Sequence, residues 1–402
     1  MTDRLRARDL GVPFDGTPGP HDAITDVPGV EVGYVTLISG GASDASDAAA
    51  GEASAGGAAT GEASAGVART GVTAILPRGR AGVGVPCAAG TFSLNGNGEL
   101  TGRTWIDESG ALALPITITN SHAVGAVHQG VDEWLQRTRP DLAAQWLLPV
   151  VGETWDGYLN EINAGHVRPE HAGQALDAAA GGPIAEGNVG GGTGMNCYGF
   201  KGGTGTASRI VADGADPDAT RYTVGVLLQA NFGDRAELRL AGRPLGRSSA
   251  APNPIEDTDW FARDGERARV ARGAGSVIVI VATDAPLLPG QCEALARRVP
   301  LGLARTGTAG SHFSGDIFLA FSTANPGALT SQLGRTDAAG PAPLERLDFL
   351  PWGRIDPLYT ATVEAVEEAV ANALVAARDL DGRDGHASFA LPHDEVRAAF
   401  AG

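Results

Sequence analysis

The residue of this chain best placed to do chemistry is one serine. In Gly273-Ala274-Gly275-Ser276-Val277-Ile278-Val279-Ile280-Val281 a hydroxyl follows two glycines and precedes an unbroken β-branched run, the pattern of a strand buried on both faces. Ser276 is then either an ordinary strand start or a nucleophile. A serine nucleophile needs a base, yet no GxSxG, SxxK or HExxH occurs, and none of the eight histidines is placed by sequence near a credible serine. His312 comes nearest to a candidate loop, and Ser121-His122 puts adjacent residues at a helix start, where they point apart. Another base exists in principle. If the chain is cut before Ser276, the freed α-amine, with a pKa of about 7.7–8.0, can take the hydroxyl proton at neutral pH. Gly275 suits that cut, because a residue without Cβ tolerates strain and lets Ser276 Oγ reach the preceding carbonyl.

Composition narrows the alternatives. The 402 residues carry a net charge of −17, which argues against nucleic acid or an anionic membrane as partner, since both are bound by concentrated Lys and Arg. Lys201 is the only lysine, leaving almost no room for Schiff-base or Ser-Lys chemistry. Cys87, Cys197 and Cys292 are far apart without CxxC spacing, so neither a disulfide framework nor a zinc site is indicated, and reduced, partly buried thiols are expected. No apolar h-region follows the N-terminus and no apolar run reaches about 18 residues, so a cytoplasmic protein is expected.

The elements that must position Ser276 can be read in outline. Strands are expected over 72–76, 114–119, 223–233 and 317–323, and helices over 120–135, 170–180, 291–303 and 358–377, the last amphipathic with apolar residues at 363, 366, 370 and 374. Asn95-Gly96 and Asn97-Gly98 mark left-handed turns. Residues 185–209 are glycine-rich but match no phosphate-binding motif, and read as backbone packed closely on its surroundings, with Lys201 in a turn. Residues 40–67, almost all Gly, Ala, Ser, Asp and Glu, read as a flexible insertion, and 245–274 as an exposed linker leading to the serine.

Several of these stretches, in order, resemble the L-aminopeptidase D-esterase/D-amidases and β-peptidyl aminopeptidases, which are self-processing N-terminal-serine hydrolases. The similar segments are 19–33, 90–109, 119–130, 153–160, 186–209, 229–233, 275–286 and 314–323, almost the whole chain apart from 40–67 and 245–272. The resemblance implies an α/β fold, a four-layer α/β/β/α sandwich like that of N-terminal-nucleophile hydrolases, in one domain over 1–402 that cleaves itself into chains 1–275 and 276–402. It implies Ser276 as nucleophile after the Gly275 bond is cut, and Asn231 as oxyanion donor. Ser314 and Asp316 match the serine and carboxylate that hydrogen-bond the nucleophile's surroundings and tune the new amine. Glu153 matches the carboxylate that holds the substrate's ammonium.

Two residues past that glutamate some members place a tyrosine hydroxyl near the oxyanion, whereas this chain has Trp155, whose indole would donate from a different position and which is expected at the substrate pocket. Tyr158 is expected to pack, the alternative being that it supplies the missing hydroxyl. The implied activity is removal of the N-terminal residue from short peptides, amino-acid amides or esters, with no metal or organic cofactor and with processed protomers assembled as a homo-oligomer. The alternatives are a self-cleaving acyltransferase and an unprocessed binding or scaffold protein.

Overall fold

The computed structural model describes residues 5–40, 66–144, 146–212, 221–257, 275–331 and 344–401. A four-stranded sheet runs in the order β1 (Glu31–Ser39), β2 (Ala68–Leu76), β5 (Ile116–Asn120), β6 (Val150–Thr154). A six-stranded sheet runs β4 (Ala111–Leu112), β3 (Cys87–Ser93), β12 (Ser314–Ser322), β11 (Gly275–Thr283), β10 (Arg221–Asn231), β9 (Gly203–Ala212). A small hairpin joins β7 (Asn196–Cys197) to β8 (Phe200–Lys201).

The uniform apolar run after Ser276 is explained by what lies on each side of it. Ile278, Ile280 and Ala282 of β11 pack with Ile75, Ile116 and Ile118 of the other sheet. Val277, Val279 and Val281 turn the other way, into a core shared with α3 (Pro289–Ala296), α4 (Val299–Arg305) and α5 (Asp356–Ala376). Each buried aliphatic contributes about 1.5–3 kcal/mol. The outer face of the smaller sheet is covered by α1 (Val124–Thr138) and α2 (Pro169–Asp177) through Val127, Val131, Trp134 and Leu176. Helices, sheet, sheet and helices thus form the expected four-layer α/β/β/α sandwich.

Four local expectations change, the last of them at Lys201. One helix over 291–303 becomes α3 and α4, because Pro300 cannot donate to the Ala296 carbonyl. The helix at 356–376 is not simply amphipathic: Glu368 on it is fully buried, ion-paired to Arg209 at 2.7 Å and to Arg8 at 2.6 Å, so the N-terminal segment covers the face that periodicity left for solvent. Leu245–Arg247 forms a 3-10 turn with Leu245 buried, so the stretch read as an exposed linker begins packed. Its remainder at 258–274, and 41–65 of the proposed insertion, lie outside the described residues. All three cysteines are free and buried.

Lys201 is not in a turn. It ends β8, fully buried, and its Nζ donates to the carbonyls of Met195 at 2.8 Å, Gly202 at 2.9 Å and Gly192 at 3.4 Å. Burial pushes its pKa down to about 7, against the pull of Cys197 and Asp156. Three donors match three acceptors, pinning the glycine-rich 190–194 turn to the hairpin. Lys201→Met, similar in length but without donors, is expected to cost about 3 kcal/mol of stability by stranding these carbonyls. Urea titration reads this, and an unchanged midpoint contradicts it.

Candidate active site

Ser276 enters the sheet between two partners that fix its surroundings. In the antiparallel β10/β11 ladder it stands opposite Asn231, and in the parallel β11/β12 ladder opposite Gly315. Residues in register share a face, and Asn231 Nδ2 donates to Ser276 Oγ at 3.2 Å. The amide has one sensible orientation: its Oδ1 accepts from the Asn196 main-chain N–H at 3.0 Å, leaving Nδ2 for Ser276 Oγ and for the Trp155 carbonyl at 3.0 Å. A second donor, the Trp155 main-chain N–H, reaches Ser276 Oγ at 3.3 Å. Trp155 therefore faces the serine through its backbone. Its ring lies over Gly157 and packs with Tyr158 and Leu159. Tyr158 packs as expected, stacked on His386 with its hydroxyl on the Ala387 carbonyl at 3.2 Å.

Gly275 is required here for a reason other than the expected strain. It does not adopt the left-handed region, but a Cβ on it would lie 2.1 Å from the Asn231 carbonyl oxygen. Only glycine lets the chain before Ser276 lie this close to the strand that carries Asn231.

Ser314 and Asp316 begin β12 rather than ending the loop before it. They are in register with Gly275 and Val277, so they bracket the Ser276 main chain, and neither bonds to Ser276 Oγ. Ser314 Oγ donates to Asp316 Oδ1 at 2.5 Å. Burial raises the Asp316 pKa, opposed by hydrogen bonds from Ser314, Asn95 and the Val277 main chain.

Glu153, the penultimate residue of β6, is buried and accepts from Ser121 Oγ and from the Glu99 main-chain N–H at 2.9 Å. Burial raises its pKa against those two bonds. Gly98 links it to the serine's neighbourhood, since a Cβ there would lie 2.8 Å from Gly315 Cα and 3.1 Å from Glu153 Oε1. Ser121 and His122 do separate: the serine turns to Glu153 and the His122 ring to Asn163 at 2.8 Å.

Sequence reasoning missed the Trp155 N–H and the Asn196 N–H, because main-chain donors leave no residue signature. It also missed Asn95. Neither Asn-Gly pair adopts the left-handed conformation expected of it; both asparagines use their side chains to hold neighbouring chain. Among the described residues no cluster of three His, Cys, Asp or Glu could hold a metal ion, and no helix is long and apolar enough to cross a membrane.

With the geometry in place, the sequence model for peptidase family S58 matches residues 22–388. The chain belongs to peptidase family S58. Its S58 relatives include the β-peptidyl aminopeptidase BapA of Sphingosinicella microcystinivorans, 48% identical over 393 residues covering 98% of this chain and 91% of that one. The β-peptidyl aminopeptidase BapA of Sphingosinicella xenopeptidilytica is 43% identical, with 97% and 90% covered. Among solved structures, the L-aminopeptidase D-Ala-esterase/amidase of Ochrobactrum anthropi superposes with a TM-score of 0.82 at 40% identity over 98% of both chains, and is described as a serine aminopeptidase with a variant Ntn hydrolase fold. A Burkholderia sp. β-aminopeptidase gives 0.82 at 42% identity over 99% of this chain and 98% of the other. The S58 chain described here is accordingly an aminopeptidase of α/β, Ntn-hydrolase architecture.

Proposed function

We propose that this S58 chain cuts itself between Gly275 and Ser276 and then works as an N-terminal-serine aminopeptidase. The observation that carries the reading is the convergence of two N–H donors, from Asn231 and Trp155, on Ser276 Oγ. In the first reaction Ser276 Oγ attacks the Gly275 carbonyl, the C–N bond breaks, and the Oγ proton ends on the Ser276 nitrogen. Water hydrolyses the resulting ester, leaving a Gly275 carboxylate. Before that cut Ser276 has no free α-amine, and the base of this reading is the buried Asp316 carboxylate acting through Ser314, which stands in register with Gly275. After it, the Ser276 amine takes the hydroxyl proton, and Asp316 tunes that amine.

In turnover Ser276 Oγ attacks the carbonyl of the substrate's first residue, and Asn231 Nδ2 with the Trp155 N–H stabilises the oxyanion. The leaving group departs protonated, and water releases the acyl group. Glu153 holds the substrate's ammonium. The substrates are short peptides, amino-acid amides or esters with a free N-terminus, as the names of the relatives suggest; the processed protomers assemble as a homo-oligomer in the cytoplasm. Denaturing electrophoresis tests the first step: fragments of 1–275 and 276–402 support it, and a single band after long incubation refutes it.

Glu153→Gln tests the substrate class. It keeps the shape but loses the charge, and kcat/KM for an amino-acid amide is expected to fall about 10- to 100-fold, the worth of roughly 1.5–3 kcal/mol for a hydrogen bond to a charged group. In the unchanged enzyme, kcat/KM should fall as pH drops through the raised Glu153 pKa, because protonation removes the ammonium's partner. A variant that keeps the unchanged enzyme's preference for free over N-acetylated substrates, with no loss in kcat/KM, would remove Glu153 from this role.

A further inference from the structure

We propose that Asn95 is a positioning residue that sets the Asp316 carboxylate for self-cleavage, an inference resting on the role given above to Ser314 and Asp316. Asn95 grips Asp316 at two points: its Oδ1 accepts from the Asp316 main-chain N–H at 2.6 Å, and its Nδ2 donates to Asp316 Oδ2 at 2.9 Å. The same Nδ2 donates to the Ser311 carbonyl at 3.0 Å. Both amide protons are therefore in use, and one side chain fixes the backbone and the carboxylate of a single aspartate together.

The grip has a direction. With Asn95 on Oδ2, Oδ1 is left to accept from Ser314 Oγ, which stands in register with Gly275. Ser311 begins the short segment whose Phe313 carbonyl accepts from the Gly275 N–H at 3.4 Å. Asn97 Nδ2 donates to that same carbonyl at 3.1 Å. Asn95 thus joins three things on the chain that lies beside Gly275–Val277: the carboxylate, the hydroxyl bonded to it, and the loop whose Phe313 carbonyl holds Gly275. Its own main chain is held by Ser93 Oγ, which donates to the Asn95 carbonyl at 2.5 Å. A residue that merely formed a turn would need none of these bonds, and the Gly96 beside it is not left-handed.

The titratable groups on the elements around Asp316 are His312 in the preceding loop, Glu99 after the Asn-Gly pairs, Cys87 on β3, and Cys292 and Glu293 on α3, with Glu153 beyond Gly98. None of them is hydrogen-bonded or ion-paired to Asp316. The Asp316 carboxylate accepts from Ser314, from Asn95 and from the Val277 main chain, so the Asn95 amide is one of three supports of the ionised form, and its loss raises the pH at which that form is protonated.

The test is the rate at which freshly synthesised full-length chain splits, followed across pH by denaturing electrophoresis. Ser276 has no free α-amine at that stage to mask the carboxylate. Asn95→Ala should slow splitting about 10- to 100-fold, the usual cost of removing a group that orients a reacting one, and should move the acid limb of the profile upward by about one pH unit. Asn95→Asp, nearly isosteric and so expected to fold, should move it further, because it sets a second carboxylate against Asp316. An acid limb unmoved in both variants overturns the proposal. Asp316→Asn separates the two levels of the argument. If that variant keeps the ordinary acid limb, the role of Asp316 is wrong and the proposal falls with it. If it loses the limb while the Asn95 variants retain it, the Asn95 inference alone is wrong.

Discussion

A Ser276→Ala chain should stay a single 402-residue polypeptide and turn over amino-acid amides at least about 10,000-fold more slowly than the processed enzyme, in the range seen when a nucleophile that works as part of a unit is removed. The substitution is structurally mild. Ser276 lies in register with Asn231 and Gly315, and those ladders are made by main chain that alanine leaves intact. What disappears is the one oxygen on which the Asn231 and Trp155 donors converge. The variant loses two reactions at once, because the same oxygen would sever the Gly275 bond and attack substrate. Unfolding measurements should place it close to the unprocessed chain in stability. If fragments still appear at this bond, as judged by mass, another group performs the cut and the account of Gly275-Ser276 fails.

The second large effect is at Asn231. Asn231→Ala is expected to lower kcat by about 100- to 1,000-fold, the cost of one oxyanion donor, with KM changed far less because the donor matters most once charge develops. Self-cleavage should slow in parallel, since the Gly275 carbonyl passes through the same oxyanion position. Asn231→Asp is the sharper variant. It preserves size but presents a second acceptor to Ser276 Oγ in place of a donor, and it should be at least as inactive as the alanine form at neutral pH. Steady-state kinetics with an amide substrate decide this. A loss confined to KM would make Asn231 a binding residue instead.

The strands at 72–76, 114–119, 223–231 and 317–322, and the place of Ser276 at the mouth of another, were legible in the sequence because their signals are carried by side chains, whereas β9, rich in glycine, was not. The run from Val277 to Val281 could only be a strand covered on both sides, and β11 is one, with valines toward the helices and isoleucines toward the second sheet. The strand expected over 223–233 is β10, which ends at Asn231, opposite Ser276. Where the reading went astray, identity pointed one way and tertiary context another. Asn95-Gly96 has the composition of a turn, but a neighbouring buried carboxylate uses the asparagine as a side-chain clamp. Lys201, in the run Gly199-Phe200-Lys201-Gly202-Gly203, looks like a loop residue until the carbonyls of Gly192, Met195 and Gly202 are seen to meet its ammonium. Glu368 breaks the apolar stripe of α5 only because Arg8 and Arg209 arrive from more than 150 residues away. The Trp155 donor was invisible for a simpler reason: every residue but proline has a main-chain N–H, and only the fold decides which one is aimed at a serine.

On the proposed mechanism the base of this enzyme is the Ser276 α-amine, which exists only after cleavage. N-terminal sequencing of the smaller fragment, with aminopeptidase activity followed in the same sample, should find a fragment beginning at Ser276 and activity rising in step with its appearance. Full activity in the uncut chain, or a fragment beginning at any other residue, would contradict this mechanism.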